Sequence, residues 1–113
     1  MLRRAAVVTG SGSGIGRAIA CQLAEDGYDL TLNDLDNDNE VNHGGLEETV
    51  SLCQDLGADV LTFRTDITER CKMKELFQSH ARKFGRLDVT VANAYFAARD
   101  NFLTQSFSRS EER

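Results

Sequence analysis

Eight consecutive residues, TGSGSGIG at 9–16, concentrate the chemistry this sequence can offer. A short apolar run at 5–8 precedes them. Behind them Ile15, Ala18, Ile19 and Leu23 step by three and four, so the glycines lie between a strand and an amphipathic helix. Glycine there allows a tight turn, lets the backbone approach an anion with no Cβ in the way, and lets the helix pack close to the strand. The first helical turn offers N–H groups without an intrahelical partner at the positive end of the helix dipole, so a phosphate can bind without a lysine. The candidate residues are Gly10, Ser13, Gly14, Ile15 and Gly16. Their spacing is T-G-x-x-x-G-x-G. No Lys-Ser/Thr follows the glycines, as a P-loop requires, and Ile15 stands where G-x-G-x-x-G has its third glycine.

Asp34 ends a second apolar run, 18 residues after Gly16. In dinucleotide-binding folds a carboxylate near that distance accepts the two adenosine ribose hydroxyls. It opposes a 2′-phosphate: at about 4 Å and an effective dielectric near 20, like charges repel by about 4 kcal/mol, an upper figure for a partly wet site. NAD is therefore expected over NADP. The plainer reading makes Asp34 the start of an acidic loop, beside Asp36 and Asp38.

The elements that position these residues are four apolar runs, at 5–8, 28–33, 60–63 and 87–92, alternating with three helix-like segments. The run at 28–33, YDLTLN, alternates. Residues 34–45 are polar and turn-rich, a loop. Leu46, Val50, Cys53 and Leu56 form the apolar face of a second helix, with Glu47 and Glu48 suited to its N-terminus. A third helix carries Met73, Leu76, Phe77, His80 and Phe84 on one side, capped by Thr68. Gly27, Gly57 and Gly85 end the three helices. Strands separated by single helices are βαβ units, and right-handed crossovers make their sheet parallel. The expected fold is α/β: a Rossmann-like parallel sheet of about four strands with flanking helices.

A chain of 113 residues holds at most one domain. Apolar residues make up 41% and charged residues 27%, the composition of a water-soluble globule. The net charge of -5 argues against nucleic-acid and anionic-membrane partners, so a bound phosphate must be held by backbone groups. The acidity gathers around residues 34–48 and reads as a solvated face. Three cysteines, Cys21, Cys53 and Cys71, suggest neither a disulfide framework nor a metal site and are expected as buried or inert thiols. His80 reads as a packed core histidine and His43 as exposed. No signal-peptide core or membrane-length apolar stretch is visible, which gives a cytoplasmic expectation.

Taken together, these residues resemble the short-chain dehydrogenase/reductase family over about residues 3–95. TGSGSGIG is similar to its cofactor turn, TGxxxGxG. Asp34 falls where NAD-preferring members carry their ribose-binding acid. Asp66-Ile67-Thr68 looks like a D-[VI]-T segment whose first two residues border the adenine ring. Residues 84–89, FGRLDV, look like F-G-x-[LI]-D before strand four. Asn93 and Ala94 match the N-N-A-G segment that borders the nicotinamide ribose, while Ala92 and Tyr95 depart from it.

The resemblance implies NAD-dependent interconversion of alcohols and carbonyl compounds. The family's catalytic Asn, Ser and Tyr-x-x-x-Lys come from a further part with no counterpart here, so no catalytic residue is assigned. Tyr95 and Arg99 have Y-x-x-x-R form but stand directly after strand four, and Ser106, Ser108 and Ser110 are similarly misplaced. The expectation is an N-terminal cofactor-binding unit, residues 1–95, followed by a polar tail, 96–113, that starts an incomplete helix. It leaves strand four as an open edge through which the chain could associate, and the chain alone is expected to lack turnover. A non-catalytic dinucleotide-binding module, or an inert fragment associating with a partner, is the alternative. A flavodoxin-like phosphate binder would make Asp34 and the strand-four segment coincidences.

Overall fold

The computed structural model describes residues 3–35 and 45–93. The elements run β1 (Arg4–Thr9), α1 (Gly14–Glu25), β2 (Tyr28–Asp34), α2 (Gly45–Asp55), β3 (Val60–Arg64), α3 (Arg70–Phe84) and β4 (Val89–Val91). All strand pairs are parallel and the sheet order is β3-β2-β1-β4. After β1 the chain builds outward through β2 and β3, then returns to place β4 on the other side. The C-terminal end of β1 is therefore a topological switch point, the place where parallel α/β sheets form a crevice for ligands. The glycine turn begins there.

The core lies between the sheet and helices α1 and α2. Ala6 and Val8 of β1 and Leu30 and Leu32 of β2 meet Ala20 and Ala24 of α1 and Leu46 and Cys53 of α2. Burial pushes the Cys53 thiol up to about 12, with Cys21 beside it adding to the effect, so this sulfur stays protonated. Cys21 is half-buried and Cys71 is exposed on α3.

Four details correct the sequence reading. The buried face of α1 is Gly16, Ala20 and Ala24, while Ile15 is 71% exposed and Ile19 and Leu23 are half-buried. Small residues four apart let the helix axis approach the sheet, and closeness decides burial here ahead of hydrophobicity. The alternation of YDLTLN does not mark one wet face, because Leu30, Thr31, Leu32 and Asn33 are all buried. A parallel sheet is covered on both sides, and the polar residues of that face meet polar partners. Thr68 does not cap α3: Glu69 holds the N-cap position without a side-chain hydrogen bond. Asp66 Oδ1 accepts from the Thr68 N–H at 2.9 Å, forming a local turn before the helix. Leu56 and Phe77 are exposed, Leu56 lying past the end of α2. Gly85 does close α3, in the left-handed region at φ 74.

On the opposite face of the sheet α3 presents Leu76 and His80, both buried as expected. A carbonyl can only accept, so His80 Nε2 donates to Arg86 O at 2.9 Å, which leaves Nδ1 to accept from the Thr31 hydroxyl at 2.7 Å. Burial lowers the His80 pKa from its ordinary 6.5. The unfolded chain then takes up a proton at higher pH than the native one, so stability is full above the ordinary value and falls as pH drops toward the depressed one. Urea midpoints are expected to fall between pH 7 and pH 5, and His80→Gln to flatten that slope. An unchanged slope in the variant would remove His80 as the cause.

Asp88 ties β4 to β1 before their ladder begins. Its Oδ2 accepts from the Ala5 N–H at 2.8 Å and its own N–H donates to Ala5 O at 2.8 Å. The Arg86 guanidinium grips the same carboxylate at 2.7 and 2.8 Å. These bonds, Arg86 first and the Ala5 N–H next, hold the Asp88 carboxyl down to about 2.

Candidate functional site

The turn between β1 and α1 is built from backbone in contact with backbone. A Cβ on Gly16 would run into Gly10 O and would come within 2.8 Å of Asn93 Nδ2. Asn93 donates that same nitrogen to Gly10 O at 3.1 Å, and its own N–H donates to Thr9 Oγ1 at 3.1 Å. The end of β4 thus buttresses the turn at the end of β1. Gly14 adopts φ 58, a conformation that a Cβ would strain, although open space surrounds it.

Helix α1 starts at Gly14, and its N-cap, Ser13, makes no side-chain cap hydrogen bond. The first backbone bond into the helix runs from Arg17 N–H to Ser13 O at 3.2 Å. The N–H groups of Ser13, Gly14, Ile15 and Gly16 form no hydrogen bond among the described residues, and Ser13, Gly14 and Ile15 are exposed. These are the four orphan donors of a helix start, at the positive end of its dipole, and the first three belong to exposed residues while Gly16 is buried.

Asp34 is brought to the same turn. Its Oδ2 accepts from the Gly12 N–H at 2.7 Å and its Oδ1 from the Leu35 N–H at 2.7 Å. Each carboxylate oxygen can accept a second bond, so these contacts fix the group without exhausting it. Gly12 has no room for a side chain, since a Cβ there would meet the Asp34 carboxylate. Asp34 therefore stands against the turn as the spacing suggested.

Asp66 and Ile67 follow β3. Thr65, just before them, donates its N–H to Asp34 O at 2.9 Å, which links this segment to the end of β2. Asp66 is half-buried and Ile67 is 36% exposed. Ala94 lies outside the described residues, as do Tyr95, Arg99, the serines of the tail and most of the acidic loop.

Two residues that shape the site carry no sequence signal of doing so. Asn33 donates to Phe63 O at 3.1 Å and Thr65 O at 3.0 Å, joining the ends of β2 and β3. Arg17 reads as a solvated helix position, yet its guanidinium reaches Gly12 O at 2.6 Å, Gly45 O at 3.0 Å and Thr49 Oγ1 at 2.9 Å. Those partners lie in the turn and in a helix begun 28 residues later, so no short-range pattern contains them.

Comparison with known proteins agrees with this arrangement. A short-chain dehydrogenase/reductase of Armillaria gallica is 34% identical over 99 residues, covering 88% of this chain and 36% of the relative. A diacetyl reductase, (S)-acetoin forming, of Staphylococcus epidermidis is 34% identical over 93 residues, covering 82% of this chain and 34% of that protein. The chain thus spans about a third of the length of these curated relatives. Carveol dehydrogenase from Mycobacterium avium, solved in complex with NAD, superposes with a TM-score of 0.75 at 28% identity, over 90% of this chain and 42% of the other. A short-chain dehydrogenase/reductase from Burkholderia phymatum, also in complex with NAD, gives 0.68 at 34% identity, over 79% of this chain and 30% of the other. The family profile for short chain dehydrogenases matches residues 4–112, nearly the whole chain. With four parallel strands in the order described and a glycine turn at their switch point, this chain belongs to the short-chain dehydrogenase family.

Proposed function

We propose that the chain binds NAD at the glycine turn and forms the cofactor-binding part of an oxidoreductase that interconverts alcohols and carbonyl compounds. The observation that carries this reading is the juxtaposition of open amides with a fixed carboxylate at one turn: Ser13 to Gly16 offer their N–H groups beside Asp34. The amides of Ser13, Gly14, Ile15 and Gly16 would hold the pyrophosphate, with Gly10 keeping the turn tight, and Asp34 would accept the adenosine ribose hydroxyls. Asp66 and Ile67 would border the adenine, and Asn93 and Ala94 the nicotinamide ribose. When bound, the nicotinamide supplies a hydride donor or acceptor. The residues present suit this group, because the helix start offers unpaired amides of exposed residues beside a fixed carboxylate, and a Cβ on Gly12 or Gly16 would displace the atoms that shape that turn.

Solved relatives in complex with NAD support the cofactor class. The preference for NAD over NADP rests on the charge of Asp34. In this reading residues 1–95 form the cofactor unit and 96–113 a polar tail. None of the helices among the described residues is long and apolar enough to cross a membrane, and three free thiols suit the cytoplasm.

Isothermal titration of the chain with NAD tests this. Saturable binding is expected, with Gly14→Val abolishing it, because a β-branched residue at positive φ distorts the turn. Heat changes equal in both proteins would sink the reading. Among the described residues β4 pairs on one side only, which favours a second reading, a binding module that associates through this edge. Sedimentation of the same samples distinguishes it, since a mass independent of concentration argues against self-association.

A further inference from the structure

The two peptide groups that meet at Gly12 are held by opposite charges. The Gly12 N–H donates to Asp34 Oδ2 at 2.7 Å, and the Gly12 carbonyl accepts from Arg17 Nη2 at 2.6 Å. Arg17 is itself anchored. The same nitrogen donates to Gly45 O at 3.0 Å, Nε donates to Thr49 Oγ1 at 2.9 Å, and Nη1 lies 3.4 Å from Glu48 Oε1. Thr49 is fully buried and its hydroxyl also donates to Gly45 O at 3.2 Å. Three of these acceptors belong to the first turn of α2, so the guanidinium bolts the glycine turn to that helix.

The packing leaves the turn little freedom once the bolt is in place. A Cβ on Gly45 would lie 2.9 Å from Gly12 O, so the start of α2 and the turn already touch backbone to backbone. Backbone carbonyls and a buried hydroxyl take up most of the Arg17 donors. A side chain committed in this way is not a spare cation for a phosphate, and its positive charge serves the protein internally.

We propose that Arg17 is a positioning residue: acting through the backbone angles of Gly12, it sets the place of the Asp34 carboxylate and the shape of the turn, without touching the cofactor. Its effect on affinity rests on the NAD reading above. Without the guanidinium, Gly12 O loses its charged donor, the Gly12–Ser13 peptide can turn, and the Gly12 backbone angles that aim the preceding N–H at Asp34 relax with it. Arg17 and Asp34 then act as one unit, and their contributions to binding are not additive.

The test is a double-mutant cycle on NAD affinity with Arg17→Ala, Asp34→Ala and the double variant, combined with amide hydrogen exchange of the NAD-free protein. Loss of a charge-assisted bond is expected to weaken NAD binding about tenfold in Arg17→Ala. In the Asp34→Ala background the same change is expected to cost less than about twofold. The Gly12 amide should exchange about tenfold faster in Arg17→Ala. Arg17→Lys, which keeps the charge but cannot span the three sites, should fall between, and it serves as the readable variant if Arg17→Ala does not fold. Equal losses in both backgrounds would overturn the proposal, as would an unchanged affinity, because a merely structural role adds independently of Asp34. If the unaltered chain binds no NAD, the functional reading falls separately. Exchange at Gly12 then decides whether Arg17 holds the turn, and an unchanged rate overturns that as well.

Discussion

Gly16→Ala is expected to lower the melting temperature by about 10–20 °C, corresponding to about 3 kcal/mol for a domain of this size. The added methyl meets Gly10 O and crowds the Asn93 nitrogen that holds this same oxygen at 3.1 Å. Relief requires either α1 to lift from the sheet or the Asn93 bond to break. The first exposes Ala20 and Ala24 of the core; the second frees the end of β4. Binding of NAD is expected to disappear with the shape of the turn. Gly14→Ala is the instructive contrast, since its Cβ has open space and only the φ of 58 penalises it, at about 1 kcal/mol. Scanning fluorimetry on the two variants separates collision from conformational strain. Equal melting temperatures would show that the close approach at Gly16 is not what holds the turn.

Asp34→Asn is expected to shrink the preference for NAD over NADP by about 100-fold. A unit charge some 4 Å from a 2′-phosphate opposes it by about 4 kcal/mol at an effective dielectric of 20, and part of that is lost to water at a half-exposed site. Asparagine keeps an oxygen to accept the Gly12 N–H that Asp34 holds at 2.7 Å, so the turn survives the change. Titrating wild type and variant with both dinucleotides measures the ratio directly. A ratio that does not move would mean that Asp34 orients the loop and leaves the sugar unread.

The fold was legible because its signals are local. Apolar runs of four to seven residues, glycine at helix ends and 3.6-residue spacing each reveal an element, and βαβ order then dictates a parallel sheet. The anion turn was legible for the same reason, since all its residues lie within TGSGSGIG. Ile15 belongs to the apolar face that the spacing marks, yet periodicity counts hydrophobicity and cannot see distance: the helix comes so close to the sheet that Gly16, Ala20 and Ala24 are the residues buried beneath it, and Ile15 is 71% exposed. The capping role given to Thr68 failed for a neighbouring reason. Asp66, two residues earlier, accepts from the Thr68 N–H and holds Thr68 in a local turn, and the helix starts one residue too late for it, with Glu69 at the N-cap. Arg17, Asn33 and Asn93 could not be understood from spacing alone. Most of their side-chain partners are backbone carbonyls, which carry no residue identity, and the nearest of those outside the local turn is 28 positions away.

The bond between Asp88 and Ala5 joins residues 83 positions apart. During synthesis β1 finds β2 within a few dozen residues. Its other flank stays bare until almost the whole described chain has emerged. A nascent polypeptide therefore carries a half-paired hydrophobic ribbon while the stretch from β2 to β4 is made, a period in which chaperones and wrong neighbours compete for it.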